Sequence, residues 1–273
     1  MDEVVRLWEG AAEQGLAEAQ HNLGIMYTNG QGVDVDYKKA IEWYKKAAKQ
    51  GYAAAQCNLG WIYRDGQGVD VDYKKAIEWW EKAAMQGDAV AQYNLGCMYR
   101  DGQGVDVNYK KAFEWYEKAA EQGYVHAQYN LGVMYENGQG VDVNYKKAVQ
   151  WYEKAAEQGL AEAQYNLGGM YYHGGKGVDV NYKKAIEWFE KAAEQGLALA
   201  KYNLGVMYRY GQGVDQSDSQ AMRWYAKAAA QGDERAQAGI DQLLAKRRCS
   251  AAVEAEAASP SSQLLGGNKD QGN

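Results

Sequence analysis

Seven glycines, Gly15, Gly51, Gly87, Gly123, Gly159, Gly196 and Gly232, stand 36, 36, 36, 36, 37 and 36 residues apart, and the text between them is nearly the same each time. A fixed period of this length means stacked supersecondary repeats, each too small to bury its own apolar face. At 273 residues a single core would be near its size limit. An array escapes that limit because each repeat touches only its neighbours.

The copy from Leu160 to Gly196, LAEAQYNLGGMYYHGGKGVDVNYKKAIEWFEKAAEQG, shows the grammar. In the first repeat a helix is expected over about Ala17 to Tyr27, then the turn Gly30-Gln31-Gly32, then a second helix over about Tyr37 to Gln50. Gly51 follows, where glycine takes the left-handed conformation that ends a helix. Asp36, Asp72, Asn108, Asn144 and Asn181 precede the second helices and are placed to cap their exposed amides. The single proline, Pro260, lies outside the repeats, as an all-helical body requires.

These signals divide the chain into a capping helix over 1–15, six repeats (16–51, 52–87, 88–123, 124–159, 160–196 and 197–232), a C-terminal capping helix over 233–248 and a mobile tail over 249–273. Residues 1–15 match a lone second helix, since Ala11, Ala12 and Gly15 fall where Ala47, Ala48 and Gly51 fall later. The fifth repeat carries its extra residue in the turn, around Lys176. The tail loses the period and ends in Ser, Gly, Asn and Gln, a composition that does not build a core.

Composition removes several functions. With 30 basic and 36 acidic residues the net charge is −6, the wrong sign for nucleic acid or an anionic membrane surface. No apolar run approaches the roughly 20 residues that span a bilayer. The first residues have no basic and apolar signal regions, so a cytoplasmic location is expected. Cys57, Cys97 and Cys249 are too few and too scattered for a disulfide framework. Gly30-Gln31-Gly32 lacks the following Lys-Ser/Thr of a phosphate loop. Asp34 and Asp36 lack the bidentate Glu of a calcium loop. His21, His126 and His173 lie in different repeats with no zinc spacing. No nucleophile has a recognisable base nearby in sequence, so no cofactor and no catalytic residue is expected.

The string A-x-A-Q-Y-N-L-G-x-M-Y-x-x-G-x-G-V, followed by Y-K-K-A-x-x-W-Y-x-K-A-A-x-x-G, resembles the Sel-one-like repeat (SLR) family, relatives of tetratricopeptide repeats, over about residues 2–245. The resemblance implies an all-α, right-handed α-solenoid of paired antiparallel helices, with the first helices along the concave wall. It also implies a non-catalytic role in assembling protein complexes. Secreted, cysteine-rich members have been linked to β-lactam binding and carry a disulfide in each repeat. This chain lacks those paired cysteines, so a hydrolase or drug-binding activity is the alternative reading.

The copies can be compared inside this one chain. Slots such as Ala19, Leu23, Gly24 and Tyr27 barely change from copy to copy and cover one broad arc of the first helix. Four slots vary: those of Glu18, His21, Ile25 and Thr28, whose offsets of 3, 7 and 10 fall on one narrow stripe. Read across repeats, the second slot is His21, Cys57, Tyr93, Tyr129, Tyr165 and Tyr202. The third is Ile25, Trp61, Cys97, Val133, Gly169 and Val206. The fourth is Thr28, Arg64, Arg100, Glu136, Tyr172 and Arg209.

Packing slots stay constant because every repeat meets the same neighbour, whereas a surface that meets an outside partner need not. The stripe is therefore expected to bind a protein or peptide in the groove of a monomer, Trp, Tyr and Arg being the residues that dominate binding hot spots. The bland alternative is drift on a solvated face. Asn58, Asn94 and Asn130 recur at its edge, either to hold a ligand backbone or to bond a neighbouring helix. Cys57 and Cys97 are candidates for a redox pair. The repeated Trp43, Trp79, Trp115, Trp151, Trp188 and Trp224 are expected to pack between helices. The tail is a second candidate contact.

Overall fold

The structure, a computed structural model, describes residues 3–175 and 177–257. Among them are fourteen α-helices and no strand beyond one isolated bridge, Gly175 with Val178. Helix α1 (Glu3–Glu13) comes first. Then first and second helices alternate: α2 (Ala17–Asn29) and α3 (Tyr37–Lys49), α4 (Ala53–Asp65) and α5 (Tyr73–Met85), α6 (Ala89–Asp101) and α7 (Tyr109–Glu121), α8 (Val125–Asn137) and α9 (Tyr145–Glu157), α10 (Ala161–His173) and α11 (Tyr182–Glu194), α12 (Ala198–Tyr210) and α13 (Asp218–Ala229). Helix α14 (Glu234–Ala257) closes the described chain. The arrangement is the tandem helical-hairpin array of the all-α solenoid class. The chain forms two compact units, one ending at Leu160 and the other starting at Ala161.

The ends of each helix follow from a few residues. The side chain of Asp36 accepts from the Lys39 amide at 3.0 Å, and Asp72, Asn108, Asn144, Asn181 and Ser217 do the same in their repeats. Each satisfies one of the amides a helix start leaves unpaired. The first helices of five repeats stop at a glycine such as Gly30, whose φ of 70° puts it in the left-handed region and turns its N–H back to the Met26 carbonyl.

Two joints hold each hairpin. In the first, the residue after the repeated tryptophan lies flat on a first-helix glycine: Tyr44 on Gly24, Trp80 on Gly60, Tyr116 on Gly96, Tyr152 on Gly132, Phe189 on Gly168 and Tyr225 on Gly205. A Cβ added at Gly96 would lie 2.5 Å from the Tyr116 ring, so only glycine admits the contact. In the second, a buried glutamine ties one repeat to the next. Gln92 Nε2 donates to the carbonyl of Ala84 in the preceding second helix at 3.1 Å, and Gln92 Oε1 accepts from Gln122 Nε2 of its own hairpin at 2.7 Å. Gln20, Gln56 and Gln128 repeat the pattern.

These joints correct one expectation. The tryptophans of the Trp43 slot are half-buried, and a lysine three residues on lies over each ring, Lys46 at 3.7 Å and Lys118 at 4.3 Å from the centroid. The neighbouring slot carries the buried ring instead. Helix α14 also runs nine residues past the expected boundary at 248, through the segment CSAAVEAEA. Alanine and glutamate favour helix without any packing partner. The remaining tail, 258–273, lies outside the described residues, as do Met1, Asp2 and Lys176. Among the described residues no helix is long and apolar enough to cross a membrane.

Candidate binding surface

The variable slots lie on the first helices; the Glu18 slot is exposed at Glu18, His126, Glu162 and Leu199, and in the other three slots the residues are half-buried, with one exception. In the first unit they sit on α2, α4, α6 and α8. The second slot leans on the buried ring of its own hairpin: His21 on Tyr44 at 5.8 Å between centroids, Tyr93 on Tyr116 at 5.7 Å, and Tyr129 on Tyr152 at 5.8 Å. In the second unit Tyr165 leans on Phe189 and Tyr202 on Tyr225 in the same way. These rings share in the packing of their hairpins while staying partly exposed.

The exception is Cys57, which is 6% exposed and cannot meet a partner directly. Burial, with the Asp88 carboxylate beside it, pushes its thiol pKa up to about 12. The expectation that Cys57 contributes to a contact surface is corrected: its side chain is short and belongs to the buried core, and a larger neighbour one turn on packs against that core. That neighbour is Trp61, which stands edge-on to Trp80 at 5.6 Å. The Trp80 indole donates to the Cys57 carbonyl at 3.2 Å. The Arg64 guanidinium stacks 4.0 Å over the Trp61 ring, and its Nε donates to Asp65 at 2.6 Å.

One repeat further on, Arg100 holds Asp101 through two hydrogen bonds of 2.7 and 2.9 Å. That pairing raises the pKa of the guanidinium. Tyr116 Oη donates to Cys97 Sγ at 3.3 Å, so Cys97 is engaged in the hairpin. Glu136 accepts from Tyr152 Oη at 2.6 Å, and Thr28 turns back to the Gly24 carbonyl at 2.8 Å. Ile25 packs against the core, and Val133 is half-buried. In the second unit Tyr172 donates to Gln212, and Arg209 donates to Gln242 on α14.

The asparagines divide. Asn58 Nδ2 donates to His21 Nε2 of the preceding first helix at 3.1 Å. Asn94 is 3% exposed, and the Nδ2 atoms of Asn94 and Asn130 are buried without a hydrogen-bond partner. An orphaned buried donor costs about 1–3 kcal/mol.

Sequence reasoning missed the residue just ahead of each first helix. Tyr52 stacks on His21 at 5.1 Å, Tyr124 stacks on Tyr93 at 5.0 Å, and Asp88 stands beside Cys57. His126 adds a ring 6.0 Å from Tyr93. The signal was available: this position varies as Tyr52, Asp88, Tyr124, Leu160 and Leu197, as the stripe itself does.

His21 gives the surface a pH dependence. Burial lowers its pKa below 6.5, opposed by an Asn22 hydrogen bond and the Glu18 charge. The neutral ring is thus the folded form, and its Nε2 accepts from Asn58. When the unfolded imidazole protonates near 6.5 the folded one still resists, so its contribution is full above that pH and is lost as pH falls toward the folded pKa. The urea midpoint is expected to fall between pH 7 and 5, and His21→Gln to flatten that fall. Equal slopes for both proteins would remove His21 as the cause.

Among the described residues no three His, Cys, Asp or Glu side chains gather where they would hold a metal ion. Cys57, Cys97 and Cys249 are all free thiols.

The sequence profile described as the Sel1 repeat matches residues 17–52, 53–88, 89–124, 125–160, 161–197 and 198–233. No curated protein matches the chain. Among solved structures, a protective antigen of uropathogenic Escherichia coli strains displaying an SLR fold aligns with a TM-score of 0.85 and 39% identity, over 89% of this chain and 52% of that one. The chain thus spans about half the length of that relative. A Sel1 repeat protein from Oxalobacter formigenes aligns with a TM-score of 0.69 and 38% identity, over 79% of this chain and 88% of that one.

Proposed function

The chain belongs to the Sel1 repeat family, and from that premise we propose that it is a non-catalytic scaffold which binds a protein or peptide segment on the first-helix stripe of its first unit. Arrays of this fold are typical of protein–protein interaction scaffolds. The observation that carries the reading is the patch on α4 and α6, where Trp61, Arg64, Tyr93 and Arg100 are half-exposed and stand in slots whose residue types change along the array. Aromatic rings and guanidinium groups give large contact area and directional hydrogen bonds together. Asn94 and Asn130 add buried amide donors, which an incoming carbonyl or carboxylate oxygen would satisfy if the side chains turned outward.

Arg64 and Arg100 are the clean probes. Their ion pairs to the adjacent, partly exposed Asp65 and Asp101 are of a kind worth about 0–1 kcal/mol to stability. Peptides selected by display on the wild-type chain are expected to lose about tenfold or more in affinity for an Arg64→Ala/Arg100→Ala variant, with the melting temperature moving by no more than about 3 °C. Trp61→Ala is expected to lose binding as well, with a modest loss of stability because its edge packs on Trp80. Selected peptides that bind the double variant as tightly as wild type would place the contact elsewhere. Retesting them on a chain ending at Ala257 asks the same of the tail.

A further inference from the structure

The first unit carries an aromatic step on each of three consecutive first helices. On α2 it is His21, stacked on Tyr52 at 5.1 Å between centroids. On α4 it is Trp61, one turn beyond the Cys57 slot. On α6 it is Tyr93, with Tyr124 at 5.0 Å and His126 at 6.0 Å from its ring. His21, Tyr52, Trp61, Tyr93 and Tyr124 all keep part of their surface in solvent. Consecutive first helices are direct neighbours, since Asn58 of α4 reaches His21 of α2 at 3.1 Å. Packed helices stand about 8–10 Å apart, and the steps recur at that spacing.

Beside the steps stand donors in want of an acceptor. Asn58 has one in His21 Nε2. In the next two repeats the slot that supplies it holds Cys57 and Tyr93, and the Nδ2 atoms of Asn94 and Asn130 are left buried without a partner. The carboxylates around them are already engaged. Asp65 and Asp101 accept from Arg64 and Arg100, Asp88 accepts from the Ala91 amide at 2.7 Å, and Glu136 accepts from Tyr152 Oη. A segment of ordinary residues laid here would bring a row of amide N–H groups, and an amide buried without an acceptor is costly. Proline brings a carbonyl and no N–H.

We propose that the occupant of this stripe is a proline-rich segment in the polyproline II conformation, with one proline ring on each aromatic step. The proposal rests on the reading of the stripe as a peptide-binding surface and names the partner's chemistry. A polyproline II segment turns once in three residues and shows the same face again after about 9 Å, which keeps pace with the first helices. A β-strand returns a side chain to one face after about 7 Å and does not. The carbonyls of a polyproline II segment have no internal partner. They supply what Asn94 and Asn130 lack once those side chains turn outward. Aromatic-lined grooves suit such segments because the preformed conformer loses little entropy on binding. Three steps ask for about seven residues with proline at every third position.

The test titrates the full chain into two labelled nonapeptides, oligoproline and alternating Thr-Val, and follows fluorescence anisotropy. Oligoproline is expected to bind about tenfold or more tightly than the alternating peptide. Trp61→Ala should weaken its binding about tenfold. Asn94→Leu should weaken it about fivefold while the thermal midpoint holds or rises, because the variant removes an unpaired donor. A merely structural asparagine would not separate the two readouts. Absent oligoproline binding, equal affinity for the two peptides, or oligoproline binding indifferent to both variants would overturn the proposal. Displayed peptides that respond to Arg64→Ala/Arg100→Ala yet carry no three-residue proline spacing would overturn it alone and leave the peptide-binding stripe standing. Indifference of those peptides as well as of oligoproline would remove the stripe itself.

Discussion

Tyr116→Ala is expected to cost about 3–5 kcal/mol of stability, and Trp115→Ala, one residue away, about 1–2 kcal/mol. Tyr116 is fully buried, its ring lies on Gly96, its hydroxyl donates to Cys97, and Tyr93 leans on its outer face. Truncation leaves a cavity that cannot collapse, because the facing helix offers a glycine with no side chain to fill it. Trp115 keeps one face on the core and carries Lys118 on the other, so its loss removes partial burial and a cation–π contact. Arrays depart from two-state unfolding, so amide exchange is the sharper readout. Protection should fall in α6 and α7 for Tyr116→Ala and stay near wild type in α2. Equal losses for the two variants would mean the ring-on-glycine joint is not the dominant contact.

The same pair shows how much was legible in the sequence. The period, the caps and the helix ends could be read directly, since each rests on a residue whose chemistry acts within a few positions. Which of two adjacent aromatic slots packs could not. Trp43 and Tyr44 both recur, and helical geometry separates them by only about 100°. The larger ring is the natural choice, but the structure buries the smaller one. The clue was the unvarying mid-helix glycine, which needs a flat partner and has one in tyrosine, tryptophan or phenylalanine alike. The stripe was visible because its slots differ between copies. Its flanking residues, Tyr52, Asp88 and Tyr124, vary between copies in the same way, but they precede the first helices and so fall outside a stripe defined by helical offsets. The buried glutamines were hidden for another reason. A glutamine in a single sequence reads as surface, and its burial follows from partners in two different repeats.

Those glutamines set up the second large effect. Gln92→Glu keeps the shape of a side chain that is 5% exposed but removes its donor. The ionised carboxylate would face the Ala84 carbonyl, which now accepts from Gln92 at 3.1 Å. A loss of about 2–4 kcal/mol at pH 7 is expected. Burial holds the folded carboxyl neutral above the usual value near 4.3. The unfolded chain gives up its proton first, so the variant keeps its stability below about pH 4.3 and loses it as pH rises toward the folded pKa. At low pH the neutral carboxyl donates to Ala84 in the amide's place, and the gap to wild type at the same pH should narrow. The chain contains its own control at this slot. Lys201 replaces the glutamine in the sixth repeat and donates to the Gly196 carbonyl at 3.2 Å and to Gln231 at 2.8 Å. What the slot requires is a donor, so Gln92→Lys should cost less than Gln92→Glu at pH 7. Urea titrations of both variants at pH 4 and pH 7 decide the point. Equal, pH-independent losses would mean that the slot contributes volume rather than a hydrogen bond between repeats.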